Sequence, residues 1–106
     1  MFASALLALG AAGAILASAH LCTRGFADMV AAWRAGAADS ARVLGHRLAA
    51  LSAALFAEPN PAVIKAALHA QGRIPSPAVR LPLLAASDSA TRAALDAADA
   101  AYGQAA

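Results

Sequence analysis

The chain has 106 residues, 61% of them apolar and 13% charged, so it can form one small domain and is too apolar for a disordered tail. About a third of the residues are Ala, which favours helices but gives each helix a thin hydrophobic face. The net charge is +2, and basic and acidic residues are interleaved along the chain. Without a basic stripe or an aromatic stacking platform, no nucleic-acid partner is expected.

The candidate metal ligands are few and poorly spaced. Cys22 is the single cysteine, which excludes an internal disulfide and favours a reducing compartment. His20 lies close to it in sequence, but His46 and His69 do not have the spacing of further ligands. Phosphate-binding, dinucleotide-binding and nucleophile-elbow motifs are also missing, so neither a metal nor a cofactor is predicted.

The uncharged segment from Met1 to Leu21 allows two interpretations. A signal peptide or membrane anchor is one, because residues 17–19 resemble a signal-peptidase site. Against it, no Lys or Arg precedes the apolar run, and Gly10 and Gly13 interrupt it. The other is a helix, a tight turn and a buried parallel strand over residues 13–17. The apolar stripe of that helix is Phe2, Ala5, Leu6 and Leu9.

Two helices with apolar stripes are predicted next. Gly36 ends the first, and Asp39 and Ser40 suit the first turn of the second through the helix dipole and capping. The predicted core-facing residues are Phe26, Met29, Val30 and Trp33, followed by Leu44, Leu48, Leu51 and Leu55.

The sequence Glu-Pro-Asn-Pro at 58–61 predicts a sharp corner, because proline cannot donate a backbone hydrogen bond and restricts the residue before it. Asn60 is the expected N-cap of the next helix, with Pro61 in the first helical position. Gly72 is placed for a left-handed C-terminal cap. The buried face of this helix is predicted to be Val63, Ile64, Ala67 and Leu68.

An extended segment over 76–84 and a last helix complete the predicted order. Ser87 is the expected cap of that helix, and fraying is expected near Gly103. Its weak apolar face is Ala90, Leu95, Ala98 and Tyr102.

Several of these motifs together resemble the last third of the dihydrodipicolinate synthase family. They are the Gly-Ala-Ile-Leu-Ala-Ser-Ala run at 13–19, the corner at 58–61 with Lys65 after it, Gly72, and Arg-Leu-Pro at 80–82. The resemblance implies a mainly α chain that contributes the last helix–strand–helix of a (β/α)8 TIM barrel and the helices that follow it. Residues 1–35 would end the barrel and residues 36–106 would form a C-terminal helical region.

The resemblance also implies a function and a site. The family is a lyase that joins pyruvate to a strand lysine as a Schiff base and condenses it with aspartate semialdehyde, in lysine (diaminopimelate) biosynthesis. Ile15 matches an isoleucine that lines the pyruvate pocket. Lys65 and Tyr102, the single lysine and tyrosine, do not match the catalytic pair, so no catalytic residue is assigned to this chain.

Three hypotheses follow. The first is the carboxyl-terminal part of a cytoplasmic, homotetrameric lyase, inactive alone, which self-associates or needs the missing barrel because its strand lacks neighbours. The second is a small helical protein anchored or exported through residues 1–19. The third is a helical module that binds an intact synthase subunit.

Overall fold

The structure, a computed structural model, describes residues 1–102. This part of the chain forms α-helices and one short 3-10 turn, and it contains no strand, so the predicted mainly α class is confirmed. The elements are α1 (Ala3–Ala8), the 3-10 turn (Ala17–His20), α2 (Thr23–Arg34), α3 (Ala38–Leu55), α4 (Ala62–Ala70) and α5 (Asp88–Tyr102).

Two glycines end their helices as the sequence predicted. Gly36 and Gly72 have φ of 73° and 71°, a left-handed conformation that residues with a Cβ rarely adopt. After α4, the N–H of Gly72 donates to the carbonyl of His69 at 2.9 Å, and that of Arg73 donates to Leu68 at 2.9 Å. This pair of bonds is a Schellman cap, which reverses the chain and sends Arg73 back over the protein.

The core lies around α3, which packs against α2 on one side and α5 on the other. The stripes predicted for α2, α3 and α4 are buried or packed against the core, as expected. In α5, Ala98 is buried as predicted, but Ala94 is the most buried residue of the helix at 0% exposure. Small side chains let α5 approach α3 closely, which explains how an Ala-rich chain still forms a core.

The stripe predicted for α1 does not face the core. Phe2, Leu6 and Leu9 are 73%, 54% and 85% exposed, and Leu7 is the residue of α1 that reaches the core. The reason is that α1 contacts α2 and α3 through its opposite face, where Ser4 accepts a hydrogen bond from Trp33 Nε1 at 3.0 Å. The outward face of α1 is therefore apolar and uncovered.

The corner before α4 differs from the prediction in its cap. Pro61, and not Asn60, is the N-cap residue, and no side chain caps the helix. A backbone carbonyl replaces a side-chain cap for one first-turn donor, because Pro59 accepts the N–H of Ala62 at 3.0 Å. The first bond within the helix runs from the N–H of Lys65 to the carbonyl of Pro61, at 3.0 Å. The Asn60–Pro61 peptide bond is cis.

The cap predicted for α5 is confirmed. Ser87 Oγ accepts the N–H of Ala90 at 3.2 Å, and the Ser87 carbonyl accepts the N–H of Thr91 at 3.0 Å. The predicted fraying near Gly103 lies outside the described residues.

Helices α1 and α3 meet at Gly45, which is buried. A Cβ at this position would lie 2.7 Å from Ser4 Cβ and would also collide with Ser4 Oγ. Only glycine therefore lets the two helices approach this closely. Among residues 1–102, no helix is both long and apolar enough to cross a membrane.

Candidate functional site

Residues 11–16 connect α1 to the 3-10 turn without forming a helix. Leu16 has φ of −132° and ψ of 115°, which are extended values, and Arg34 Nη2 donates to the carbonyl of Ala12 at 2.9 Å. The segment predicted as a strand is thus unpaired, since the described part of the chain offers no other strand beside it. Ala17, predicted as its last residue, belongs to the 3-10 turn.

A groove of about 780 Å³ lies between this extended segment and the exposed side of α2. Its walls are mainly apolar, with Gly13, Ala14 and Leu16 on the segment and Phe26 and Val30 on α2. A groove of this size beside an unpaired segment can accept another element of secondary structure.

Ile15 lies in this unpaired segment, and its side chain is fully exposed at 104%. A single exposed apolar side chain is common in proteins, but several exposed apolar side chains side by side are unusual. Ile15 lies in the chain between Ala14 and Leu16, which line the groove.

The 3-10 turn after Ile15 is held by side chains from later in the chain. Ser52 Oγ donates to Ser18 Oγ at 2.9 Å, and the two serines are 4% and 3% exposed. Arg73 Nη1 donates to the carbonyl of His20 at 2.6 Å. The carboxyl end of the extended segment is thus fixed by α3 and by the residue after the cap of α4.

The glutamate of the Glu-Pro-Asn-Pro corner has a structural role. The Glu58 carboxylate accepts the N–H of Ser87 at 3.1 Å and also the Ser87 hydroxyl. Ser87 is the cap of α5, so the carboxylate also lies near the positive end of the helix dipole. The corner before α4 is joined in this way to the start of α5, 29 residues later.

We expect Glu58→Ala to lower the free energy of unfolding by about 1–2 kcal/mol, because two charge-assisted hydrogen bonds and a favourable dipole interaction are lost. Asp39→Ala is the matched control. Its carboxylate is also in the first turn of a helix but is fully exposed and pairs with exposed Arg42 at 3.3 Å, so the loss should be clearly smaller than for Glu58. Urea unfolding followed by helical circular dichroism measures both, and equal effects of the two substitutions would contradict this role.

The contacts of Lys65 and the burial of Cys22 also indicate structural roles. Lys65 Nζ donates to the carbonyl of Ala78 and so holds the segment after α4 against that helix. Burial raises the pKa of the Cys22 thiol, and a backbone hydrogen bond with Gly25 partly opposes the shift. His46 and His69 are exposed on α3 and α4, and the described residues contain no group of three metal ligands.

The contacts of Ser18, Ser52 and Arg73 were not predicted from the sequence. Ser52 gave a usable signal, since it lies four residues after Leu48 and next to Leu51 on the buried side of α3. A polar side chain in that position needs a hydrogen-bond partner. Its partner, Ser18, lies 34 residues earlier, and local patterns carry no information on such a pairing.

In a (β/α)8 barrel each strand is followed by a helix, and here an extended segment is followed by α2. The family model for the dihydrodipicolinate synthetase family matches residues 1–101. Similar curated proteins include the 4-hydroxy-tetrahydrodipicolinate synthases of Thermodesulfovibrio yellowstonii, 42% identical, and Pseudomonas aeruginosa, 44% identical; each match covers 74% of this chain and 26% of the relative. The chain therefore belongs to the dihydrodipicolinate synthetase family.

A solved structure supports the same relationship. It is a dihydrodipicolinate synthase variant described as the first monomeric one, with a TM-score of 0.86 and 28% identity. The match covers 93% of this chain and 33% of that chain. This chain spans about a quarter of the length of the curated relatives it matches.

Proposed function

We propose that this chain is the carboxyl-terminal part of a lyase that condenses pyruvate with aspartate semialdehyde in lysine biosynthesis, and that it is inactive alone. The observation that carries the proposal is the family match over residues 1–101 in a chain that spans only about a quarter of its relatives. Residues 1–35 would supply the end of the barrel and residues 36–106 the terminal helices. The complete enzyme would be a cytoplasmic homotetramer.

The uncovered apolar surface supports an assembly of this kind. Ile15 is fully exposed, the groove beside α2 is open, and the outward face of α1 carries Phe2, Leu6 and Leu9. Barrel elements placed on both sides would pair the extended segment and cover these side chains. Ile15 would then line the pyruvate pocket, because chemistry in barrels takes place at the carboxyl ends of the strands.

Lys65 supports inactivity of the chain alone. A Schiff base needs a lysine whose amine is free to attack the substrate carbonyl, but Lys65 Nζ is bonded to the Ala78 carbonyl on the exposed surface. The groove lies beside α2 and Lys65 is not among its lining residues. Pyruvate would therefore be activated by a lysine that the rest of the enzyme contributes.

Self-association of the isolated chain is the second part of the proposal. The same apolar surface and the unpaired segment favour pairing between copies when barrel neighbours are missing. Sedimentation velocity should show species heavier than a monomer whose proportion grows with chain concentration. A dilute monomer with a sharp, concentration-independent unfolding transition would contradict this part.

A hybrid enzyme tests the function. The amino-terminal part of the Pseudomonas aeruginosa relative, which this chain does not match, is joined to residues 1–106 and called here the hybrid enzyme. We expect condensation of pyruvate with aspartate semialdehyde by the hybrid enzyme, and none by the same amino-terminal part alone or by this chain alone. A soluble, folded hybrid enzyme without this activity would overturn the proposed function.

A further inference from the structure

The extended segment that carries Ile15 is anchored at its two ends by side chains from other elements. At the amino end, Arg34 of α2 bonds the carbonyl of Ala12 at 2.9 Å. At the carboxyl end, Ser52 of α3 bonds Ser18 at 2.9 Å, and Arg73 bonds the His20 carbonyl at 2.6 Å. Two separate parts of the C-terminal helices thus converge on the turn that begins two residues after Ile15.

We propose that Ser52 and Arg73 are positioning residues, which fix the 3-10 turn so that Ile15 is presented to pyruvate. The inference rests on the proposed function and adds to it a role for the C-terminal helices in substrate affinity. Neither residue would touch the substrate.

The buried serine pair can hold the turn rigidly. Both hydroxyls are at least 96% buried and each satisfies the other, so neither can rotate away without leaving an unpaired polar group. Ser18 follows Ile15 by only three residues, and Ala17 between them already belongs to the turn. Movement of the turn is therefore transmitted directly to Ile15.

Arg73 holds the 3-10 turn from the end of α4, and it does so with a charged group. The Schellman cap at Gly72 aims the chain back toward the turn, and α4 packs against that turn. The guanidinium then bonds the last carbonyl of the 3-10 turn, which carries the partial negative charge of the turn's end. Together with the serine pair, this bond fixes the turn at both its second and its fourth residue.

The test compares four variants in the hybrid enzyme. Ser52→Ala and Arg73→Gln should each raise the KM for pyruvate about 3–10-fold with kcat changed less than twofold, because a misplaced wall group weakens substrate and transition-state binding equally. The double variant Ser18→Ala/Ser52→Ala separates positioning from stability. Arg47→Gln is the control for Arg73, since Arg47 is an exposed arginine on α3.

The double variant gives the decisive result. Ser52→Ala alone leaves the Ser18 hydroxyl buried without its partner and should lower the urea midpoint by about 1 M, whereas removal of both hydroxyls should restore most of that loss. We expect the KM of the double variant to stay raised although its stability recovers. If the KM for pyruvate and the urea midpoint of the double variant both return to the parent values, the two serines serve only stability, and the inference is overturned.

Each of the remaining outcomes also contradicts either this inference or the proposed function. An active hybrid enzyme whose KM is unchanged in both Ser52→Ala and Arg73→Gln overturns this inference and leaves the proposed function standing. An inactive parent hybrid enzyme overturns the proposed function, and the inference falls with it. A similar KM rise in Arg47→Gln would attribute the effect to net charge and likewise contradict the role of Arg73.

Discussion

Ile15→Lys should lower kcat/KM of the hybrid enzyme at least about 100-fold, because an ammonium group would then be buried without a partner in the wall of the proposed pyruvate pocket. In the isolated chain, at a concentration low enough for it to be monomeric, the same substitution should leave the urea midpoint unchanged, since the side chain is fully exposed there. Steady-state kinetics and urea unfolding measure the two effects. A large effect on activity together with no effect on the isolated chain distinguishes a pocket residue from a core residue.

Leu84→Lys is the matched control for this substitution. Leu84 is 77% exposed and lies before α5, away from the extended segment, so we expect less than a threefold change in kcat/KM. Ile15→Val keeps an apolar group of similar shape and should retain most of the activity. An Ile15→Lys hybrid enzyme as active as the parent would remove Ile15 from the pocket.

Gly45→Ala should destabilise the isolated chain by about 1–3 kcal/mol, although alanine is the better helix former. The added methyl group would lie 2.7 Å from Ser4 Cβ, and Ser4 is held in place by its bond from Trp33 Nε1. Urea unfolding at one fixed chain concentration measures the change. A neutral or stabilising effect would show that α1 is not packed on α3 in this way.

Two further single variants and one double variant complete this experiment. Ala50→Gly changes an exposed position of α3 and gives the helix-propensity difference alone, about 1 kcal/mol. Ser4→Gly removes the atoms that the new methyl group would meet. The double variant Gly45→Ala/Ser4→Gly should therefore lose less stability than the sum of the losses in the two single variants. We expect the difference, which is the interaction energy, to be about 1 kcal/mol or more.

The sequence predicted the elements whose signals are local. The structure confirms the helix ends at Gly36 and Gly72, the cap at Ser87 and the stripes of α2 to α4. Each of these predictions depends on neighbouring residues. These signals work because capping and amphipathic spacing act within one or two turns of a helix. The family, too, was predicted from short motifs at characteristic spacings.

The prediction for α1 was wrong because it depended on partners distant in the chain. The stripe of α1 was assigned to the core, but the face with Ser4 and Leu7 packs inward, which depends on Trp33 and Gly45. The segment predicted as a strand at 13–17 was expected to lack neighbours, and residues 11–16 are unpaired because the described residues provide no second strand.

The candidate site was only partly predictable. Ile15 came from the family resemblance, and its role in the pocket stays a prediction. The bonds that hold its segment, from Ser52 and Arg73, link positions 34 and 53 residues apart, so no local pattern could have indicated them.

As proposed above, this chain would complete a pyruvate-binding lyase without supplying its Schiff-base lysine. Borohydride reduction of the hybrid enzyme in the presence of pyruvate, followed by peptide mass spectrometry, tests it most directly, because reduction fixes the imine on the lysine that formed it. We predict an adduct on a lysine of the Pseudomonas aeruginosa part, formed only when this chain is attached, and no adduct on Lys65. An adduct on Lys65, or equal labelling of the amino-terminal part without this chain, would contradict the account.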